Sequence, residues 1–254
     1  MVKKIVGTGV LLVLALALQA GVKMYTLKSP DGKVKLEVTA GQGIAYSLFY
    51  DGRLLLKPSR IALHTDLPEA DHWENIRITG TKQRHVSETV QAPFYRVKEF
   101  GIDCNELELR LNNGFSLLMR AYNDGMAYRF VAGRKGEMTV VEERAEFNFA
   151  DDFEAYIPYS TNPKDPWNMA FQNFYTKAPL TQYNTELPAF LPLTVDAGAV
   201  KLTLLESDLE AYPGMFVCGD GKTPALKGVF AAYPQETFKN KWRCQETVKT
   251  RRPY

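Results

Sequence analysis

The sequence predicts an all-β protein, a large antiparallel β-sandwich. Short apolar runs alternate with polar residues at period two. Tight-turn signals such as Asp-Gly and Asn-Gly fall between those runs. No stretch of 12 or more residues keeps a helical period, because Pro or Gly interrupts the longer candidates.

The elements follow in order. Asp31-Gly32 turns the chain into Lys33 to Thr39, where Val34, Leu36 and Val38 share one face and Lys33, Lys35 and Glu37 the other. Ala45 to Tyr50 is the next strand, and Asp51-Gly52 leads from it into Arg53 to Leu56. A three-strand meander comes later. Glu106 to Leu111 places Leu107, Leu109 and Leu111 on one face, Asn112-Asn113-Gly114 turns, and Phe115 to Tyr122 returns. Asn123-Asp124-Gly125 then turns again into Met126 to Val131, as that tripeptide suits a tight hairpin. Leu191 to Val195, Val200 to Leu205 and Leu226 to Ala232 read as further strands. Many short strands with regular turns predict a sandwich or barrel, and a parallel α/β sheet has nowhere to place its crossover helices. Tyr156 to Pro188, rich in Pro, Asn and aromatics, reads as one long irregular segment, a length that usually accompanies function.

Composition narrows the function classes. The 254 residues are 45% hydrophobic and 24% charged, with 31 Lys and Arg against 29 Asp and Glu. A net charge of +2 gives no basic face with which to displace the counterions of a nucleic acid. Lys3 and Lys4 precede an uncharged run from Ile5 to Ala20, followed by small residues at Ala20 and Gly21. That pattern predicts a signal peptide over residues 1–21 and an exported, periplasmic or extracellular protein with no stable membrane insertion. The run is shorter than the roughly 20 residues of a membrane helix, although an uncleaved anchor is the other reading. Cys104, Cys218 and Cys244 form no C-x-x-C pair, and the expectation is small, partly buried side chains rather than a disulfide framework. His64, His72 and His85 are too scattered to predict a zinc site, and the chain has no H-E-x-x-H, P-loop or G-x-S-x-G motif.

Several segments carry a family resemblance. They are SPDGKVKLEV at Ser29 to Val38 with YDGRLLLKPSRIAL at Tyr50 to Leu63, RAYNDGMAYRF at Arg120 to Phe130, FYTKAPL at Phe174 to Leu180, LLESDLEAYPGM at Leu204 to Met215, and LKGVFAAYP at Leu226 to Pro234. In this order the chain resembles the N-terminal domain of glycoside hydrolase family 97. The resemblance implies a galactose-mutarotase-like super-sandwich over residues 22–254 that lacks its final segment. It also implies a partner, a (β/α)₈ barrel of the same or a neighbouring chain that holds the catalytic carboxylates of an exported α-glucosidase or α-galactosidase. Glycoside hydrolysis needs two carboxyl groups across one bond, and the family's pair lies beyond this sequence, so the chain alone is expected to be inactive. The other reading is a free-standing carbohydrate-binding sandwich.

The resemblance further implies calcium as cofactor of the full-length enzyme, with Glu206 as the ligand lent by this domain. Glu206, Asp208 and Glu210 alternate with other residues and could point the same way as ligands, but the residues alone read rather as a solvated acidic strand end, since calcium needs six to eight oxygens; the resemblance reverses that for Glu206 only. Tyr212-Pro213-Gly214-Met215 reads as a rigid turn, either holding Glu206 or simply lying on the surface. Trp167, Phe171, Phe174, Tyr175 and Lys177 mix aromatics with polar groups. Tyr175 and Lys177 are the candidates for contact with carbohydrate; the other reading of the aromatics is that they pin the loop to the sandwich.

Overall fold

A computed structural model describes residues 22–167, 173–207, 209, 212–231, 233–239 and 246–252. In chain order the strands are β1 (Lys23–Lys28), β2 (Val34–Gly41), β3 (Gly43–Tyr50), β4 (Arg53–Thr65), β5 (Ile78–Gln91), β6 (Glu99–Leu111), β7 (Phe115–Tyr122), β8 (Gly125–Ala132) and β9 (Val140–Asn148). They continue as β10 (Glu154–Ile157), β11 (Thr176–Pro179), β12 (Leu193–Asp196), β13 (Lys201–Leu204), β14 (Met215–Gly219), β15 (Ala225–Phe230), β16 (Tyr233–Lys239) and β17 (Glu246–Arg252). Every pairing between these strands is antiparallel. Among the described residues the only helical element is a 3-10 turn, Leu180–Gln182, and no helix is long and apolar enough to cross a membrane.

The first layer is a seven-stranded sheet in the order β1-β2-β3-β4-β9-β15-β14, and the second is β5-β6-β7-β8. Alternation builds the space between them. Val34, Leu36, Val38 and Ala40 of β2 are buried, and so are Leu107, Leu109, Leu117 and Met119 of β6 and β7, all in one apolar cluster. Trp73 closes one end, its indole N–H donating to the Leu63 carbonyl at 3.1 Å and its ring edge-on to Phe130 at 5.3 Å. At the other end the β1–β2 turn meets the β7–β8 turn, where the Asp31 N–H donates to Asn123 Oδ1 at 3.0 Å. A third sheet, β11-β10-β12-β13, joins the first through isolated bridges from Ala189 to Tyr159 and Val217.

The strands run further than the sequence predicted. The run from Arg53 to Leu56 is the start of β4, which has 13 residues and includes Pro58. Proline is tolerated there because the β3–β4 register slips at that point. Asn148 covers the irregularity, its side chain donating to the Pro58 carbonyl at 2.8 Å and its N–H to Ser59 Oγ at 2.9 Å. Tyr156 to Pro188 is less irregular than expected, since β10 and β11 pair across it from Glu154↔Pro179 to Ile157↔Thr176. Cys104 is buried and Cys218 half-buried, and both are free thiols. Residues 1–21, Phe171, Asp208, Glu210 and Cys244 lie outside the described residues.

Candidate functional site: a carboxylate held by a turn

Glu206 follows β13 by two residues and is half-buried. The chain then folds back through Tyr212-Pro213-Gly214, so that the Met215 N–H at the start of β14 donates to Glu206 Oε2 at 2.7 Å. A Cβ at Gly214 would stand 3.4 Å from Glu206 Oε1, so the turn fits closely around the carboxylate. The turn is anchored a second time. The Tyr212 hydroxyl donates to Glu143 Oε2 at 2.6 Å, and its ring meets Phe230 edge-on at 5.9 Å. Glu143 comes from β9, opposite Leu63 of β4. Close packing keeps β15 in place beneath, for a Cβ at Gly228 would lie 2.9 Å from Met215 Sδ and 3.0 Å from Ala145 Cβ.

The two carboxylates share one electrostatic environment. Burial pushes the Glu206 carboxyl above its ordinary value, and the Met215 N–H pulls against that shift. Burial also pushes Glu143 up, with the Glu206 charge adding to the rise and the Tyr212 hydrogen bond opposing it. Glu143 is the site residue that sequence reasoning missed. It stands in an ordinary alternating strand, and its partner Tyr212 is 69 residues away. Tyr212 was read only as part of a turn; its hydroxyl is what ties that turn to β9.

The described residues do not make a calcium site by themselves. Among them no group of three or more His, Cys, Asp or Glu side chains is placed to hold a metal ion. A shell of six to eight oxygens therefore exceeds what Glu206 and the described residues around it supply, while one ligand lent across an interface fits a carboxylate with a single backbone donor.

Of the sugar-contact candidates, Lys177 lies on the third sheet and Tyr175 immediately precedes its strand β11. Lys177 faces Tyr156 in the β10–β11 register, pairs with Glu154 Oε2 at 2.7 Å, and stands 6.0 Å from the centre of the Tyr156 ring. The Tyr175 hydroxyl donates to the Pro192 carbonyl at 3.3 Å, and Phe174 beside it is fully exposed. No hydrogen bond or ion pair among the described residues joins Tyr175 or Lys177 to Glu206. Trp167 packs edge-on against Phe216 at 5.0 Å beside Phe190, which pins its part of the loop to the sandwich. A cleft of about 480 Å³ opens elsewhere, between β1, β5 and β6, lined by residues that include Lys28, Gln83, His85 and Glu106.

These features define a two-layer antiparallel β-sandwich whose site is only part-furnished, one carboxylate clamped on one backbone N–H. Residues 27–250 match the family described as Glycosyl-hydrolase 97 N-terminal, and the chain belongs to that family. It is 39% identical over 229 residues to a retaining alpha-galactosidase of Bacteroides thetaiotaomicron, covering 87% of this chain and 34% of that protein. It is 26% identical over 158 residues to a probable retaining alpha-galactosidase of Streptomyces bingchenggensis, covering 61% of this chain and 24% of that one. The chain thus spans about a third or less of the curated relatives it matches. Among solved structures, a family 97 enzyme from Pseudoalteromonas sp. strain K8 in complex with panose superposes with a TM-score of 0.68 at 18% identity, over 81% of this chain and 32% of that one. A beta-arabinopyranosidase superposes with a TM-score of 0.69 at 21% identity, over 84% and 36%. At those identities the structural likeness establishes the fold.

Proposed function

We propose that this chain serves as the non-catalytic N-terminal domain of an exported α-galactosidase or α-glucosidase, and that Glu206 is its contribution to the working site. In this reading the sandwich docks on a (β/α)₈ barrel of the same or a neighbouring chain. Glu206 then reaches across the junction as one oxygen ligand of a calcium ion held mainly by the barrel. Tyr175 and Lys177 help shape the approach for carbohydrate. The observation that carries the proposal is the clamp itself. The Met215 N–H fixes one oxygen of a half-buried carboxylate, and no Arg or Lys among the described residues neutralises it. A carboxylate that burial disfavours and no cation compensates suits a group awaiting an external one. The role of calcium would be to place and polarise groups at the sugar; this chain's part is to hold Glu206 in a fixed direction.

The test is reconstitution. The purified chain alone should give no turnover of chromogenic α-galactosides or α-glucosides with calcium present. Mixed with the separately produced remainder of the Bacteroides relative, it should associate and restore calcium-dependent hydrolysis. Glu206→Gln should weaken calcium binding by the assembly while leaving the chain's own melting temperature unchanged, because the amide oxygen still accepts the Met215 N–H. Turnover by the chain alone, or an assembly whose calcium binding ignores Glu206→Gln, would overturn the reading.

A further inference from the structure

The hairpin formed by β5 and β6 outruns the sheet it belongs to. β7 begins its pairing with β6 at Cys104↔Tyr122, yet β5 and β6 stay paired for five further steps, from Ser87↔Asp103 to Gln91↔Glu99. The tip beyond is apolar and bare. Phe94 is 99% exposed, Tyr95 69% and Val97 53%, and Val90 and Phe100 beneath them are also exposed. A projecting arm with an aromatic tip is costly to leave in water, and its residue types, Phe and Tyr with Arg96 between apolar neighbours, are those that anchor protein interfaces.

The arm stands away from the Glu206 turn. Glu143, beside that turn, is three residues before Glu146 on β9, whose carbonyl accepts from the Tyr46 hydroxyl, and the Tyr46 ring lies 5.9 Å from that of Tyr128. Tyr128 is level with Met119 of β7 and so with Leu107 of β6. From Leu107 to Glu99 is eight residues along β6, about 26 Å at the rise of an antiparallel strand, and Phe94 lies further out. A domain docked over Glu206 therefore does not by its position there cover the arm.

The free edge of β5 indicates what does. β5 is the outer strand of its sheet, so its outward backbone groups are open to another strand. Its charged residues are Lys82, Arg84 and Glu88. In antiparallel self-pairing about a two-fold axis, residues facing each other have numbers of constant sum. Centring on His85 sets Lys82 opposite Glu88 of the second copy, and symmetry repeats the pair. Centring on Val86 instead asks for Arg84 opposite Glu88, but Arg84 Nε already donates to Glu106 Oε1 at 2.6 Å. Lys82 and Glu88 form no ion pair within the chain among the described residues. The His85-centred register also sets the exposed Val90 across from Gly80, where no side chain competes, and carries each tip beyond the start of the second copy's β5.

We propose that the β5–β6 arm is a homodimerisation element in which two copies pair antiparallel along β5, centred on His85, with each aromatic tip seated on the other sandwich. A lysine on an open edge ordinarily guards against strand addition; here Glu88 at the matching distance turns that guard into a selector for a second copy of the same chain.

Sedimentation of the purified chain tests this. The parent should form a dimer. Lys82→Glu should weaken the dimer by about tenfold or more, since two attractive pairs become repulsive. The charge swap Lys82→Glu with Glu88→Lys should restore it, a rescue that misfolding would not give. Opposed residues in an antiparallel pair have Cα atoms about 4.5–5.5 Å apart, within disulfide reach, so His85→Cys should give an oxidised covalent dimer absent from the parent. A chain that stays monomeric, a dimer indifferent to Lys82→Glu, or an arm protected only on adding the rest of a family 97 enzyme would each overturn the proposal.

Discussion

Replacing Glu106 with Gln tests how the second layer is held. The Glu106 side chain is 6% exposed and accepts from Arg84 Nε at 2.6 Å on one oxygen and from Arg120 Nε at 2.7 Å on the other. It thereby ties β5, β6 and β7 together across one face. Gln keeps the shape but offers only one acceptor, and its amide NH₂ would point at the other guanidinium. A fully buried pair broken this way costs about 3–5 kcal/mol. Arg84 and Arg120 are 53% and 27% exposed, however, so Arg84 can turn to water and solvent screens part of the loss. The expected destabilisation at pH 7 is therefore about 2 kcal/mol. Its pH dependence follows from the carboxyl. Burial works against the Glu106 charge, but the hydrogen bonds from Arg84 and Arg120 outweigh it and hold the group below its ordinary 4.5. Such a group adds stability that is fully present above the unfolded value and is lost as pH falls through the folded one. Urea unfolding of parent and variant should show the full gap at pH 7 and a shrinking gap below about pH 4.5. A gap that stays constant into acid would show that packing, and not the ion pairs, carries the loss.

Two further outcomes are expected. Tyr212→Phe removes the donor that Glu143 uses in its half-buried position, so the chain should lose about 1–2 kcal/mol at neutral pH in urea unfolding. Because burial already holds Glu143 above its ordinary 4.5 and the variant would raise it further, the loss should diminish as pH falls towards that ordinary value and be gone before it is reached. Gly219→Ala should cost about 1–3 kcal/mol by the same measurement, as overpacking does. Its Cβ would stand 2.7 Å from Cγ of Tyr183, whose hydroxyl donates to the Val217 carbonyl at 2.7 Å and leaves the ring little room to retreat.

The sequence made the half-buried strands legible and hid the others. β2, β3 and β7 alternate between buried and less buried positions, and their apolar periodicity marked them. β5 is exposed at nearly every position, so neither face carried a signal, although it is the longest strand. Its geometry is set by its partner, since the continuous register with β6 extends it far beyond what its own residues favour. The expected strand likewise stopped at Leu56, two residues before Pro58. What carries β4 past it is long-range, the Asn148 contacts from β9, and no local pattern contains them.

The site divides along the same line. The turn beside Glu206 was legible because it is local: strand end, turn and Met215 lie within nine residues, and a rigid Tyr-Pro-Gly turn is readable from sequence, whereas Glu206 itself was singled out by the family resemblance alone. The second anchor was not, because it joins Tyr212 to a strand formed long before it in the chain. A turn fixed only by its own residues would place Glu206 no better than a loop does. Tied through Tyr212 to β9, an inner strand of the seven-stranded sheet, the turn takes its direction from that sheet. Glu206 therefore stands on the sandwich itself, although it lies in the connection between β13 and β14.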